Sequence, residues 1–185
     1  MAEIKPKYII CDLDGCLIDS AWIWDVVKSQ NISKDEAFGI FNRLANADKN
    51  GIDLALYKYL CFKASGGLKI HFITARSELI EVETINFLQK KIGLIYGKDF
   101  SISFRPATDL SSPAESKGVR VQRFLDSGKQ AVLAIDDENE ILLMYAQKGI
   151  PIMKWIIGFL PVQVVREYGN QINNLITVKE EICQN

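Results

Sequence analysis

The sequence has little of what would commit it to several well-known protein classes. Among its 185 residues are one histidine and four cysteines, and no two cysteines have the spacing of a zinc knuckle or of a small disulfide framework. No run of about 18 apolar residues could span a bilayer, and the N-terminal stretch lacks the apolar core of a signal peptide. We therefore expect a cytoplasmic protein with reduced thiols and no contact with a membrane.

An excess of charge of either sign is also absent. The formal net charge is -1, so the chain as a whole exerts no attraction on nucleic acid or on an anionic membrane surface. A polyanion would have to be bound by a local group of basic residues. The hydrophobic content of 48% and the length of 185 residues suit one domain, or one domain that carries a sizeable insertion.

The most informative stretch follows directly after the N-terminus. An apolar run of strand length, residues 8–11, ends in two carboxylates, Asp12 and Asp14, and Gly15 follows where the chain must turn. Residues i and i+2 of a strand share a face, so both carboxylates can approach one centre. Because such close negative charges repel, the pair predicts a bound divalent cation, and magnesium prefers oxygen ligands of this kind. A solvated turn is the competing interpretation of the two acids.

About fifty residues separate this strand from the next strand-like run, too many for a simple connection between a strand and a helix. Helical periodicity and capping residues predict three short helices there, which begin near Ala21, Ser33 and Asp53. We expect residues 20–68 to form a small helical cap insertion over the crevice at the strand ends. The core would then comprise residues 1–19 and 69–185.

Strand-like and helix-like segments alternate after residue 68. This alternation predicts an α/β fold, with a Rossmann-like parallel sheet flanked by helices. A capping serine, Ser112, followed by Pro113 and Glu115, marks the start of one helix. Residues 158–185 give weaker signals, with a short helix predicted over 162–168. The predicted strands after the first are residues 69–74, 101–104, 131–135 and 151–155.

Polar side chains are expected to meet at one edge of this sheet, beyond the carboxyl ends of its strands. Thr74 and Arg76 end the second strand, Asp136 and Asp137 end a later one, and Lys117 lies in the early turns of the helix before it. Carboxylates can hold a cation, while a hydroxyl, a lysine and an arginine can bind an anion. Together with Asp12 and Asp14, they predict a metal-assisted phosphate site.

In this order, the residues resemble the four motifs of the haloacid dehalogenase superfamily, over residues 8 to about 155. The matches are Asp12-Leu13-Asp14-Gly15 after an apolar strand, Thr74 after Phe72-Ile73, Lys117 on a helix, and Asp136-Asp137 after Ile135. An acid at the position of Asp14 is typical of the phosphatases and mutases of the superfamily, whereas the dehalogenases lack it. One departure is Cys16, where the superfamily often has threonine or valine, and we expect this side chain to pack under the loop.

The resemblance implies a catalytic role for four of these residues. Asp12 would attack phosphorus and form an aspartyl-phosphate, which divides one difficult displacement into two easier ones. Asp14 would protonate the leaving oxygen and then activate water. Thr74 and Lys117 would bind the phosphoryl group and balance its charge.

The resemblance also implies Mg²⁺ as cofactor. The ion would lie between Asp12, the backbone carbonyl of Asp14 and an aspartate of the fourth motif. Asp136 is the first choice for that ligand, and Asp137 is the alternative.

The later half of the sequence is most similar to the phosphatase domain of phage-type polynucleotide kinases, through Thr74-Ala75-Arg76 and Phe104-Arg105. This similarity implies that Thr74, Ala75, Arg76, Arg105 and Lys117 contribute to substrate binding, and that the two arginines grip phosphate. Ordinary surface or ion-paired arginines are the competing interpretation.

Three functions remain open from the sequence. The leading hypothesis is a Mg²⁺-dependent phosphomonoester hydrolase, a phosphatase whose substrate is a phosphorylated small molecule of unsettled identity. The first alternative is a polynucleotide 3'-phosphatase that acts on a nucleic-acid 3'-phosphate end. The second alternative is a binding protein that keeps this fold without catalysis.

Overall fold

The computed structural model describes residues 5–30, 32–158 and 162–163. These residues form eight strands, six helices and one 3₁₀ turn at Glu78–Ile80. The strands are β1 (Lys7–Cys11), β2 (Ile18–Asp19), β3 (Gly51–Ile52), β4 (Lys69–Ser77), β5 (Phe100–Arg105), β6 (Gln130–Asp136), β7 (Ile152–Lys154) and β8 (Val162–Gln163). The helices are α1 (Ala21–Lys28), α2 (Lys34–Leu44), α3 (Leu54–Ser65), α4 (Glu81–Ile92), α5 (Pro113–Asp126) and α6 (Asn139–Gln147).

Six of the strands form one sheet, in the order β5-β4-β1-β6-β7-β8. The strands from β5 to β7 are parallel, and β8 pairs antiparallel with β7. The prediction of an α/β fold with a Rossmann-like parallel sheet flanked by helices is confirmed. Because the chain continues from β1 to one side of the sheet and later returns to the other side at β6, a crevice opens at their carboxyl ends.

Helices cover both faces of the sheet. On one face, α3 and α4 bury Leu56 and Leu88 in a cluster with Ile9 of β1. On the other face, α5 and α6 pack against Tyr8 and Ile10 of the same strand. Burial on two faces explains why β1 is a continuous apolar run, and it leaves the carboxyl end of the strand as the place for polar residues.

Residues 20–68, which the sequence predicts to be a cap insertion, do not pack as one unit. Helices α1 and α2 enclose a small apolar cluster of their own, which includes Val27 and Ala45. In contrast, α3 buries Leu56 and Leu60 in the same cluster as the sheet. The short strands β2 and β3 pair antiparallel where the chain leaves the core and returns to it. The division of the chain at residue 68 stays a prediction.

Local sequence signals are borne out at two helix starts. In α5, Ser112 and Glu115 form the reciprocal hydrogen bonds of a capping box, and Ser33 and Glu36 do the same in α2. The predicted helix over residues 162–168 is wrong at its start, because Val162 and Gln163 pair with β7; its other residues lie outside the described part of the chain. No helix in the described ranges is long and apolar enough to cross a membrane.

Candidate active site

The buried side chain of Lys117 connects the ends of two neighbouring strands. Its Nζ lies 2.9 Å from Oδ1 of Asp12, which follows β1, and donates a hydrogen bond of 2.8 Å to Oδ2 of Asp136, the last residue of β6. Burial lowers the pKa of Lys117, but Asp12 and Asp136 outweigh this effect and raise the pKa well above its usual value. The ammonium group of Lys117 therefore lies between Asp12 and Asp136, which are far apart in the sequence.

A second group of side chains surrounds Asp12 on the side of the loop after β6. Ligand atoms of Asp12, Cys16 and Asp137 all lie within 4.8 Å of one another. Burial, followed by the neighbouring charge of Asp136, raises the pKa of Asp137 to about 6. Burial also raises the pKa of Asp12 well above its usual range, against the opposing effect of Lys117. This concentration of buried carboxylates would be relieved by a cation.

The donor set is suitable for Mg²⁺. Oδ1 of Asp12 is buried and receives no hydrogen bond from the described residues. It forms an ion pair of 2.9 Å with Nζ of Lys117, but the angle of this contact is unsuitable for a hydrogen bond. It and the carboxylate of Asp137 are the hard oxygen ligands that Mg²⁺ prefers. Cys16 is fully buried, its pKa is raised by that burial, and its thiol lies 3.9 Å from Oδ1 of Asp137. We interpret Cys16 as a weak hydrogen-bond donor to Asp137 and not as a ligand of the ion.

The geometry reverses the order in which the sequence places the two aspartates of the fourth motif. Asp136, the first choice as metal ligand, uses Oδ2 for Lys117 and accepts a hydrogen bond of 3.2 Å from the backbone of Glu138 with Oδ1. Asp137 instead lies beside Asp12 with its carboxylate turned toward the turn after β1. The structure therefore favours Asp137 as the ligand and Asp136 as the partner of Lys117.

Gly15 makes room for this arrangement. A Cβ atom at this position would lie 2.3 Å from Oδ2 of Asp137, and the backbone φ of Gly15 is +84°. Both the close approach and the left-handed backbone require glycine. The turn at Gly15 thus determines how closely Asp137, more than 120 residues later in the sequence, can approach β1.

Thr74 lies inside β4, at a place where the pairing with β5 is irregular. The register shifts between Ile73 and Ser77, and Thr74 is fully buried there. Its Oγ1 accepts a hydrogen bond of 3.2 Å from the backbone N–H of Arg76, and Ala75 between them is half-buried. Irregular pairing of this kind re-aims backbone and side chains near the end of a strand. The roles of Thr74 and Ala75 toward phosphate stay predictions.

Arg76 does not occupy the position of a substrate-binding arginine. Its side chain is 0% exposed, and its Nε and Nη2 each donate a hydrogen bond of 2.8 Å to the carboxylate of Asp14. The third nitrogen of the same guanidinium, Nη1, donates to Asn46 at 2.6 Å. These contacts speak against the expectation that Arg76 grips substrate phosphate, because all three nitrogens already donate to groups of the protein itself.

Arg105 is likewise committed to internal contacts. It donates hydrogen bonds to the backbone carbonyls of Asp109, at 3.1 Å, and Ser111, and its guanidinium lies 5.4 Å from the ring centroid of Phe38 on α2. These contacts tie the loop before α5 to the cap insertion. They speak against the expectation that Arg105 grips phosphate. The competing interpretation of surface or ion-paired arginines describes Arg76, which pairs with Asp14, whereas Arg105 donates to backbone carbonyls.

Several residues of this region have no signal in the sequence. Arg120, one turn after Lys117, is buried and donates to the backbone carbonyls of Thr74, at 2.6 Å, and Ser103, at 2.8 Å. Burial lowers its pKa to about 10, so it is still a cation at neutral pH. Arg120 thus ties α5 to the ends of β4 and β5. Ser20, Asn46 and Thr84 were missed in the same way, because each is a common polar residue outside any motif.

Comparisons with known proteins identify similar folds among solved structures but no matching family model. No family model matches the sequence, and no relative is found among curated proteins. Solved structures do match, however. A chain of the Pnkp1/Rnl/Hen1 RNA repair complex superposes with a TM-score of 0.62 at 18% identity, over 84% of this chain and 44% of that one. This chain therefore spans less than half the length of that protein.

Two further structures match over most of their own length. A haloacid dehalogenase-like hydrolase from Streptococcus pneumoniae, SP0104, superposes with a TM-score of 0.55 at 17% identity, over 83% of this chain and 87% of that one. CbbY from Rhodobacter sphaeroides, solved in complex with phosphate, gives a TM-score of 0.54 at 10% identity, over 82% and 86%. At these identities the likeness is one of fold.

Proposed function

We propose that this chain, which has the fold of the haloacid dehalogenase-like phosphatases, is itself a Mg²⁺-dependent phosphomonoester hydrolase. The observation that carries the proposal is the contact of one buried lysine, Lys117, with both Asp12 and Asp136 at the carboxyl ends of adjacent strands. Asp137 and Asp14 complete the site. An acid cluster with a fixed cation at a topological switch point is suited to binding a phosphate group and a metal ion.

The chain's own residues account for both halves of the reaction. A carboxylate oxygen of Asp12 forms a bond to phosphorus while the bond from phosphorus to the ester oxygen breaks, and Asp14 gives its proton to that oxygen. Asp14 then takes a proton from water as the water oxygen bonds to phosphorus and the bond from Asp12 to phosphorus breaks. The products are an alcohol and inorganic phosphate, and both aspartates return to their starting states.

Asp12, Asp137 and the backbone carbonyl of Asp14 would hold Mg²⁺. When bound, the ion supplies positive charge next to the attacking carboxylate and the phosphoryl oxygens. Lys117 supplies a second positive charge on the side of Asp136, and Thr74 contributes a buried hydroxyl. We also propose that the cap insertion, residues 20–68, limits access to this site, with α1 and α2 as its outer part and α3 packed on the core.

Phosphate release from 4-nitrophenyl phosphate tests this function. We expect turnover by the wild type with Mg²⁺, no turnover with excess EDTA, and a fall in kcat of at least about 10³-fold for Asp12→Asn, since removal of a nucleophile costs this order of magnitude or more. Asp48→Asn is the matched control, because Asp48 makes an exposed ion pair with Lys90 and has no part in the site. If the folded wild type releases no phosphate from any member of a broad panel of phosphate esters, the proposal is wrong and the non-catalytic binding protein is favoured.

A second candidate function is the 3'-phosphatase of nucleic-acid end processing. It is supported by the match to a chain of an RNA repair complex. Membership of that complex is a property of the matched protein and not of this one. Two observations speak against it: the net charge of -1, and the internal commitment of Arg76 and Arg105, the arginines that would have gripped phosphate. We therefore keep a phosphorylated small molecule as the favoured substrate class.

A further inference from the structure

The carboxylate of Asp14 lies within a set of hydrogen bonds that leaves one specific position open. Oδ1 accepts hydrogen bonds from Nη2 of Arg76, at 2.8 Å, and from the hydroxyl of Ser20, at 2.9 Å. Oδ2 accepts only one, from Nε of Arg76 at 2.8 Å, among the residues that the structure describes. Because each carboxylate oxygen has about two acceptor sites, Oδ1 is filled and Oδ2 keeps one free.

Arg76 is itself held from the other side. Its Nη1 donates to Oδ1 of Asn46 at 2.6 Å and to Oγ1 of Thr84 at 3.4 Å, while the amide of Asn46 donates to the same hydroxyl at 3.3 Å. The guanidinium carbon also lies 6.0 Å from the ring centroid of Phe87. A planar guanidinium fixed on both edges can only present its partner carboxylate in one orientation.

These contacts join the core to the cap insertion. Asn46 lies just after α2, and Ser20 occupies the N-cap position of α1. Ser20 makes no capping hydrogen bond to that helix, although serine is among the best N-cap residues. Its backbone φ of -116° and ψ of 11° differ from the extended conformation usual at an N-cap, and its hydroxyl donates to Asp14. Both ends of the segment formed by α1 and α2 are thus connected to Asp14. Ser20, at its start, contacts Asp14 directly, and Asn46, after its end, contacts Asp14 through Arg76.

A purely structural ion pair is the competing interpretation. Arg76 is 0% exposed, whereas the side chain of Asp14 is 15% exposed, so the pair is buried on the arginine side and open on the acid side. Burying a charged pair carries a large desolvation cost, and hydrophobic replacements often stabilise as well or better. Stability alone therefore does not explain why Arg76 is buried against Asp14 while Oδ2 of Asp14 keeps a free acceptor site. The need to hold that oxygen in one orientation explains this arrangement.

We propose that Arg76 is a positioning residue for proton transfer by Oδ2 of Asp14, and that Asn46 makes this positioning depend on the cap insertion. The inference rests on the proposed phosphatase function. In the first half of the reaction, the proton on Oδ2 passes to the ester oxygen as the bond from phosphorus to that oxygen breaks. In the second half, the same oxygen takes a proton from the attacking water.

Two aryl phosphates with different leaving groups test the proposal. The nitrophenolate of 4-nitrophenyl phosphate leaves readily without a proton, whereas the phenolate of phenyl phosphate needs one. General acid–base catalysis contributes about 10²–10⁴-fold. We therefore expect Arg76→Lys to lose about tenfold more kcat/KM on phenyl phosphate than on 4-nitrophenyl phosphate. Asn46→Ala and Ser20→Ala should show the same preference with smaller losses.

Asn42→Ala is the matched control. Asn42 lies on α2, is half-buried like Asn46, and its side chain accepts a hydrogen bond from the backbone of Ser77 and not from Arg76. It should affect both substrates equally. Melting temperatures of all variants report folding, and if Arg76→Lys does not fold, Asn46→Ala and Ser20→Ala decide the question.

Equal losses on the two substrates for all three variants, or no loss at all, would overturn the positioning role while the phosphatase function stands. If the folded wild type hydrolyses neither aryl ester nor any other member of the broad panel with Mg²⁺, the proposed function fails, and the positioning role fails with it.

Discussion

Asp14 and Asp137 contribute to the same site but have opposite electrostatic surroundings. Asp14 is paired with the buried guanidinium of Arg76. Asp137 is half-buried, beside Asp136 and Asp12, and its pKa is raised to about 6. In the folded protein, the negative charge of Asp14 thus faces a positive partner, whereas that of Asp137 is buried next to other carboxylates.

Neutral variants of these two aspartates should therefore change stability in opposite directions. Without Mg²⁺ at pH 8, we expect Asp137→Asn to raise the melting temperature by a few degrees, since relief of charge crowding on the order of 1 kcal/mol corresponds to about 2–4 °C in a chain of this size. Asp14→Asn should lower the melting temperature, because it leaves Arg76 buried without its counter-charge. Thermal denaturation followed by circular dichroism measures both changes, and both variants should be inactive.

The effect of Asp137→Asn should depend on pH in a defined way. A pKa raised from 3.8 to about 6 means that the folded state binds the proton more tightly than the unfolded state. The wild type therefore loses stability as pH rises from about 4 to about 6, and the advantage of the variant should vanish below about pH 4. Equal melting temperatures of variant and wild type at pH 8 would contradict the assignment of a strained, cation-binding acid.

At the scale of elements, the turn after β1 is the part of the fold on which the site depends most directly. This turn brings Gly15 against the carboxylate of Asp137, where no side chain would fit. The capping box of α5 acts from the other side, since it starts the helix that carries Lys117 into contact with Asp12. A turn and a helix start, both recognisable in the sequence, thus place the two sides of the site.

Gly15→Ala separates this packing role from backbone strain. We expect at least about a 10²-fold loss of kcat, comparable to the loss of one preorganised group, because the new Cβ would displace Asp137. Gly67→Ala is the matched control: Gly67 has a similar φ of +88°, but a Cβ there would meet no atom within 4 Å. The control should cost about 1 kcal/mol of stability and leave kcat unchanged. Similar losses of kcat in the two variants would argue against the contact between Gly15 and Asp137.

At the scale of the whole molecule, charge and the cap insertion bear on which substrate is used. The net charge of -1 offers no general attraction for a polyanion. The two arginines expected to bind phosphate instead join the cap insertion to the core, Arg76 through Asn46 and Arg105 through Phe38. These two features are the reasons why we propose a small phosphate ester, and not a long nucleic acid, as the substrate.

Substrate length and salt distinguish these possibilities. We expect kcat/KM on an oligonucleotide 3'-phosphate to be no higher than on a mononucleotide 3'-phosphate, and to change by less than about threefold between 50 and 200 mM salt. Release of counterions from several phosphate contacts would instead produce a steep loss with salt, about 10³–10⁵-fold for six to ten contacts. A strong preference for the oligonucleotide together with such a salt dependence would favour the 3'-phosphatase.

Local patterns in the sequence determined the layout of the core and the membership of much of the site. Apolar runs, capping boxes and acids at strand ends are short-range features, so β1, α5 and the group of Asp12, Asp136 and Lys117 could be predicted from them. The helix expected over residues 162–168 failed at its start because two of its residues pair with β7, a partner that a local pattern does not reveal.

Only the tertiary structure decided what each charged side chain contacts. Arg76 holds Asp14, Asp137 lies beside Asp12 where the sequence favours Asp136, and the hydroxyl of Ser20 donates to Asp14. The physical reason is that a hydrogen bond or ion pair depends on distances of a few tenths of an ångström between groups tens of residues apart. Such distances are fixed by the packing of the sheet, its helices and the cap insertion together, and no local stretch of sequence contains them.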